Sequence, residues 1–493
     1  MPPSVSRALA LATTLLSSGC APRVEMPEGA QNVVLVTLDT TRADFFGAYG
    51  YPGDATPNFD ALGADGVIYE AAVTTAAVTP VAHASILTGQ YPFTHGLRVL
   101  SAGSGYRLPA DAPTLATTLA AAGYETAAVH SAFPVSAHFG LEQGFQTFDS
   151  LESGLDGGAS SETWDVTALQ RRSDDTTDRV IDVLESLTPP FFLWIHYWDP
   201  HDVRQLPPWY FLWGLDERPD DLSKSSRERY AAEVSYVDDQ FGRVVDWLRD
   251  RGLYDATAFA VTADHGEGLG EHDWLTHRLL YQEQVHVPLL LRLPEGPRGL
   301  RVAEQVRTID IAPTLLAAVA APALTEAEGA VLPGLPGGID GHRLAYADQL
   351  NGYDLNASRM RKRPLDDFLY AVQDGEWKLI YRPSHPDDSE LFHLSTDPDE
   401  AVNRYADAPE QRRRLLRALA ALEPWRVEPF EGGGSGDDVQ AMLEALGYQE
   451  APAQAGPRWV WTCIDHGSVR APDAGACERC GEVLIPRSAE VAP

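Results

Sequence analysis

Three long apolar runs, each breaking off at an acidic residue, constrain the fold of this chain more than any other feature. They read QNVVLVTLDTTRADFFG at 31–47, PFFLWIHYWDPHD at 190–202 and TAFAVTADHGEG at 257–268. Continuous apolarity, rather than alternation, is the pattern of a strand buried on both faces, as in a parallel sheet. Helical periods lie between the runs: 114–123, closed by a glycine, and 227–249, where Val234, Val237, Phe241, Val244, Val245 and Leu248 recur largely at three- and four-residue spacing. Strands alternating with helices predict an α/β fold, a mostly parallel sheet sandwiched by helices. Functional groups gather beyond the carboxyl ends of such strands. The two later runs end in Asp and His and the first in Asp39, so a single site is expected from residues more than 200 positions apart.

With 493 residues, 44% of them hydrophobic, the chain can bury a large core and has room for one big domain and a smaller one. The formal net charge of -33 repels nucleic acid and anionic membrane surfaces, so no nucleic-acid partner is expected. At the N-terminus, MPPSVSRALALATTLLSSGC has one arginine, a short apolar stretch and small residues before Cys20. This is a secretory signal pattern, too short to span a bilayer as a helix. Its end resembles a bacterial lipoprotein signal over 1–20, in which Cys20 is acylated and tethers an exported, periplasmic or outer-membrane-anchored protein. An ordinary cleaved signal is the alternative.

A short linker, 21–30, leads into the domain expected over 31–360. Beyond it FLYAVQDGEWKLIYRP and ELFHLSTDPDEAVN read as short antiparallel strands with turns at DG and DPDE, followed by a helix over 409–422. A smaller α+β subdomain is therefore expected over 361–450, including a flexible GGGSGDD connector at 432–438 and a short amphipathic helix after it. A second break, 451–457, precedes a cysteine-bearing segment, 458–486.

The segment 78–89, VTPVAHASILTG, matches the active-site segment of the sulfatases, with Thr79 where a sulfatase carries Cys or Ser. LVTLDTTRADFFGAYGY, TPNFDALGADG, TPVAHASILTGQYP, HYWDPHD, VTADHGEGLGEH, VPLLLRLP, IDIAPTLL and GEWKLIYRP stand in the order expected of that family. Over 31–448 the chain thus resembles the sulfatase-like branch of the alkaline phosphatase superfamily. The resemblance makes Asp39, Asp264 and His265 metal ligands, and Thr79 a nucleophile that also touches the metal. One divalent cation (Ca, Mn or Zn) is expected, and a second is left open because Asp199 and His201 lie two apart rather than four. His201 and His277 match positions that contact the transferred group or protonate the leaving oxygen. General acid catalysis suits the ordinary pKa of histidine.

The departures bear on substrate. A sulfatase Cys or Ser is oxidised to formylglycine, and threonine has no equivalent route to that aldehyde. The usual Arg four residues on is His83, which the resemblance makes a candidate catalytic residue, Thr40 replaces a second Asp, and a family Lys is absent, with His130 or Ser131 in its neighbourhood. Losing Arg removes a planar cation suited to bidentate contact with an oxyanion. The chain is expected to be a metal-dependent ester hydrolase in which Thr79 favours phosphate ester cleavage or transfer, on a small-molecule, glycan or lipid ester. A sulfuric ester hydrolase is the alternative, and a catalytically quiet metal- or ligand-binding lipoprotein is the alternative of another class. Trp194, Trp198, Trp209, Trp213 and Trp274 read either as a sugar-stacking wall or as core and loop packing.

In the final segment, Cys463 and His466 stand as C-x2-H, and ten residues later Cys477 and Cys480 stand as C-x2-C-G. This is ligand spacing for a tetrahedral zinc site in which two tight turns each present two ligands. It resembles the small heavy-metal-binding domain, with Asp465 and Glu482 at that domain's two Met positions. A Cys477–Cys480 disulfide is the competing reading in an oxidising compartment.

Overall fold

A computed structural model describes residues 31–100, 106–149, 151, 169–202, 226–354, 357–425, 459–466, 470–471, 475–482 and 484–488. The signal segment with Cys20, the 21–30 linker, the 432–438 connector with the helix expected after it, the 451–457 break, Trp209 and Trp213 all lie outside the described residues.

The apolar runs become the centre of the sheet. The strands are β1 (Asn32–Leu38), β2 (Val67–Val73), β3 (Glu125–His130), β4 (Thr147–Asp149), β5 (Phe191–Tyr197) and β6 (Thr257–Ala263). Two short strands, β7 (Gly268–Leu269) and β8 (Leu275–Thr276), pair apart from them. Then β9 (His286–Val287), β10 (Leu289–Arg292) and β11 (Leu300–Arg307) complete the main sheet, in the order β11-β2-β10-β6-β1-β5-β3-β4 with β9 beside β2. Every residue of β1, β5 and β6 is buried, as unbroken apolarity requires of strands covered on both faces. β1 pairs in parallel with β5 and β6 and β3 with β5 and β4, whereas β10 runs antiparallel between β6 and β2.

The covering helices sort into two mutually packed groups. Pro57–Ala64, Ser173–Ser186 and Ser226–Asp250 form one, and Thr79–Thr88, Leu115–Ala121 and Ile311–Ala318 the other. Thr114 caps the Leu115–Ala121 helix by accepting the Thr117 N–H at 3.0 Å. All ten residues of the Thr79–Thr88 helix are buried. Its small and apolar residues suit a helix surrounded by protein.

A second, antiparallel sheet comprises β12 (Ala345–Gln349), β13 (Leu369–Gln373), β14 (Trp377–Tyr381) and β15 (Glu390–His393) in sequential order. Its first strand lies before residue 361, where the sequence texture changes. Leu415, Leu416 and Leu419 of the Pro409–Leu422 helix join Tyr370, Val372, Leu379 and Tyr381 in one apolar cluster. The buried Arg98 guanidinium pairs with Asp348 of β12 and so ties this sheet to the main domain. A last small sheet, β16 (Trp459–Cys463), β17 (Arg470–Ala471) and β18 (Leu484–Ser488), adds Trp461, Cys463, Cys477 and Leu484 to the same cluster.

Candidate active site

β1 and β6 lie side by side in register, Leu38 opposite Ala263, so the next residues of each, Asp39 and Asp264, leave the sheet at the same level. Thr40 turns the chain at once, with a left-handed φ of 46°. For a β-branched residue that conformation is strained, and surrounding bonds must hold it. The Thr40 N–H donates to Asp264 Oδ1 at 3.0 Å, and the Tyr230 hydroxyl donates to the Thr40 carbonyl at 2.5 Å. Asp264 Oδ1 also accepts the His265 N–H at 2.7 Å.

These bonds leave Asp39 Oδ1 and Asp264 Oδ2 buried, with no hydrogen-bond partner among the described residues. One ligand atom each from Asp39, Asp264 and His265 lies within 4.8 Å of the others. His265 Nδ1 is 2.9 Å from the Gly266 carbonyl, which fixes the proton there and leaves the Nε2 lone pair facing the carboxylates. Gly266 is required by this turn, since a Cβ built on it would stand 2.1 Å from the Glu283 carbonyl oxygen.

The electrostatics fit a cation. Burial, then repulsion from Asp264 and Glu267, pushes the Asp39 carboxyl well above its ordinary range, and burial pushes Asp264 up likewise. Burial, then the neighbouring His277, pushes His265 well down, so its ring is a neutral donor. Two orphaned carboxylate oxygens and an imidazole lone pair in one buried pocket match the donor set of a divalent metal.

Thr79 opens its helix at the first turn, with no side-chain cap at the preceding Val78. Its Oγ1 is buried 3.4 Å from His265 Nε2. His83, one turn on, lies against the pocket wall: Nδ1 donates to the Thr79 carbonyl at 2.7 Å and stands 3.6 Å from Asp264 Oδ2, and Nε2 lies 3.0 Å from Thr37 Oγ1. Burial lowers its pKa to about 4. Having both ring nitrogens engaged makes it a brace for Thr79.

His277 and His201 close the pocket. The His277 ring is 4.7 Å from His265 and 5.3 Å from His201, centroid to centroid. Burial, then Arg278 and Arg359, holds His277 well below its ordinary pKa. His201, in the short Asp199–His201 turn after β5, stacks on Trp198 at 3.8 Å. His196 Nε2 meets Asp39 Oδ2 at 3.2 Å. Asp199 instead binds the N-terminus of the Ser173–Ser186 helix, accepting the Ser173 N–H at 3.2 Å and its hydroxyl at 2.5 Å. His130 ends β3 beside His196, and Ser131 just past it donates its hydroxyl to the His196 carbonyl at 2.6 Å, so neither offers a cation.

Sequence reasoning passed over Glu267, although it sits in the same DHGEG turn. Its Oε2 is 3.5 Å from His277 Nδ1, and burial raises its pKa to about 8. Its signal was its position, four residues past the end of β6. Trp194, Trp198 and Trp274 are buried packing residues, Trp194 donating its N–H to Thr37 Oγ1 at 2.9 Å.

Comparison with known proteins agrees with this architecture. The family model described as Sulfatase matches residues 31–321, and that described as N-sulphoglucosamine sulphohydrolase, C-terminal, matches 270–422. The chain is 24% identical to an arylsulfatase of Clostridium perfringens over 468 residues, covering 78% of this chain and 93% of that one. It is 26% identical to iduronate 2-sulfatase of Mus musculus over 376 residues, covering 62% of this chain and 67% of that one. The phosphonate monoester hydrolase of Agrobacterium radiobacter shares the fold, with a TM-score of 0.63 at 23% identity over 80% of this chain and 95% of that one. Sulfatases and phosphonate monoester hydrolases alike are hydrolases of oxyanion esters. On this sequence match, spanning the strands and turns that build the pocket, the chain belongs to the sulfatase family.

Proposed function

We propose that this sulfatase-family hydrolase cleaves an ester of phosphorus, a phosphodiester or phosphonate ester, with Thr79 as its nucleophile, in an exported protein tethered through Cys20. The observation that carries the reading is the hydroxyl of Thr79 set 3.4 Å from His265 Nε2 and beside the Asp39–Asp264 pair, where a sulfatase would carry formylglycine. A hydroxyl suits double displacement at phosphorus and leaves a stable threonyl phosphoester for water to open.

Asp39, Asp264, His265 and the Thr79 hydroxyl are the groups that would hold a divalent cation. When bound, it lowers the pKa of a ligated hydroxyl and neutralises charge on the non-bridging oxygens. The chain's own residues handle the protons. The neutral His277 ring accepts the Thr79 proton as the Oγ1–phosphorus bond forms, its Nδ1 held 3.5 Å from Glu267 Oε2. His201 gives a proton to the leaving alcohol as the phosphorus–oxygen ester bond breaks. In the second half-reaction water attacks phosphorus, His201 takes its proton, and His277 returns one to Thr79.

The test is a panel of 4-nitrophenyl sulfate, phosphate monoester, phosphate diester and phosphonate, assayed with several metals. Hydrolysis of the phosphorus esters, lost in Thr79→Ala, supports the reading. Turnover of the sulfate alone overturns the substrate class, and full activity in Thr79→Ala overturns the nucleophile.

A further inference from the structure

The tail carries a second donor cluster, remote in sequence from the pocket and unused by its chemistry. Cys463 ends β16 and His466 sits on the turn after it, and Cys477 and Cys480 lie on the turn before β18. One atom from each of the four lies within 4.8 Å of the others. Cys463 Sγ is 3.6 Å from His466 Nδ1 and 3.5 Å from Cys480 Sγ, and Cys477 Sγ is 3.7 Å from His466 Nδ1. Tetrahedral zinc, with bonds of about 2.3 Å to sulfur and about 2.0–2.1 Å to nitrogen, sets sulfur–sulfur separations near ~3.8 Å and sulfur–nitrogen separations near ~3.6 Å. A disulfide would bring two sulfurs to about 2.05 Å, and all three cysteines are free.

The turns are built for this. At the second one the Gly481 N–H donates to the Cys477 carbonyl at 2.7 Å, with Gly481 in the left-handed region at φ 76°. The Cys477 N–H donates to the Glu482 carbonyl at 2.7 Å, and the Arg479 N–H points at Cys477 Sγ at 3.4 Å. A backbone N–H on sulfur is the support a metal-bound thiolate uses.

The acidic residues beside these ligands face the Pro409–Leu422 helix. Asp465, between Cys463 and His466, meets Arg417 of the Pro409–Leu422 helix at 2.7 Å, and Glu482, just past Cys480, meets the same guanidinium at 3.2 Å. The Tyr381 hydroxyl of β14 donates to the Pro486 carbonyl at 2.7 Å. A few short strands bury too little to fold alone, so whatever joins the two turns decides whether these contacts form.

We propose that Cys463, His466, Cys477 and Cys480 bind one structural Zn²⁺, and that this ion clasps the tail onto the antiparallel subdomain by bringing Asp465 and Glu482 together at Arg417. The site is closed, with four protein ligands, and takes no part in ester cleavage.

The full-length protein, purified without chelator, should contain one zinc per chain held by thiolates. Co²⁺ replacing it should show sulfur-to-cobalt charge-transfer and tetrahedral d–d bands. Cys477→Ser and Cys480→Ser should each lose that one equivalent while keeping the active-site metal and ester hydrolysis, which also shows that the main domain is folded. Amide exchange in β16 and β18 should be slow with zinc and fast after its removal or in Cys480→Ser. Mass spectrometry finding a Cys477–Cys480 disulfide in native protein, or no thiolate bands with Co²⁺, overturns the site. Equal exchange with and without zinc overturns the clasp.

Discussion

Thr79 Oγ1 and His265 Nε2 face each other across 3.4 Å of buried space, one at the start of a helix and the other at the end of a strand 186 residues later. Neither atom can reach bulk water, so the hydroxyl's reactivity is set by its immediate neighbours. Thr79→Ala is expected to lower kcat by at least about 10³-fold while metal content stays at the wild-type level. Steady-state kinetics with elemental analysis of the same preparation checks both halves.

Asp39 and Asp264 repel each other in a dry pocket, which implies opposite effects of one mutation with and without metal. In Asp264→Asn the stabilisation of the wild-type protein by added divalent cation should vanish, together with activity. The chelated variant should melt no lower than chelated wild type, because the buried charge pair is gone. Calorimetric melts of both proteins with EDTA and with excess Mn²⁺ or Zn²⁺ test this, and a lower Tm for the chelated variant would contradict it.

Glu233, buried in the Ser226–Asp250 helix with no hydrogen bond to either carboxyl oxygen among the described residues, has its pKa raised by burial to about 10. The protonated form is therefore the folded form. The stability this group contributes is fully present below its unfolded pKa, near 4.5, and is lost as pH rises towards about 10. Glu233→Gln should gain on wild type as pH is raised from 6 to 9, by about 1–3 kcal/mol. Urea unfolding at several pH values measures the gap, and a constant difference would refute the assignment.

Arg98 and Asp348 form a buried pair across the seam between the main domain and the antiparallel sheet, with Arg98 also donating to the Pro424 carbonyl at 3.0 Å. Arg98→Ala strands a buried carboxylate and should cost about 3–5 kcal/mol. Arg98→Met with Asp348→Leu should recover much of that loss, and the double-mutant cycle by chemical denaturation gives the coupling.

Much of the architecture was legible because β1, β5 and β6 are apolar without interruption and break at polar residues. The Pro409–Leu422 helix was legible for a similar reason, its proline start and leucine spacing being local signals. Direction was harder to read. Leu289–Arg292 is a four-residue apolar strand, and nothing in so short a run says that it lies antiparallel between β2 and β6.

The pocket divides the same way. The strand-end residues Asp39, Asp264 and His265 announce themselves, whereas the roles of His83 and Asp199 depend on where their side chains turn. His83 lies one helical turn from Thr79, and its ring bonds back to that residue's carbonyl. Asp199 looks like a partner for His201 until the start of the Ser173–Ser186 helix, a neighbour only in space, claims both of its oxygens.

The ladder between β1 and β6 also orders events in time. Asn32 and Thr257, paired at its start, are 225 residues apart. A growing chain thus carries β1, the Thr79 helix and β5 with its Asp199–His201 turn well before β6 exists. At about 5–20 residues per second, β6 emerges many seconds after β1. Until then Asp39 has no Asp264 beside it, so every N-terminal fragment ending before residue 264 should be inert as an esterase, however well its early helices form.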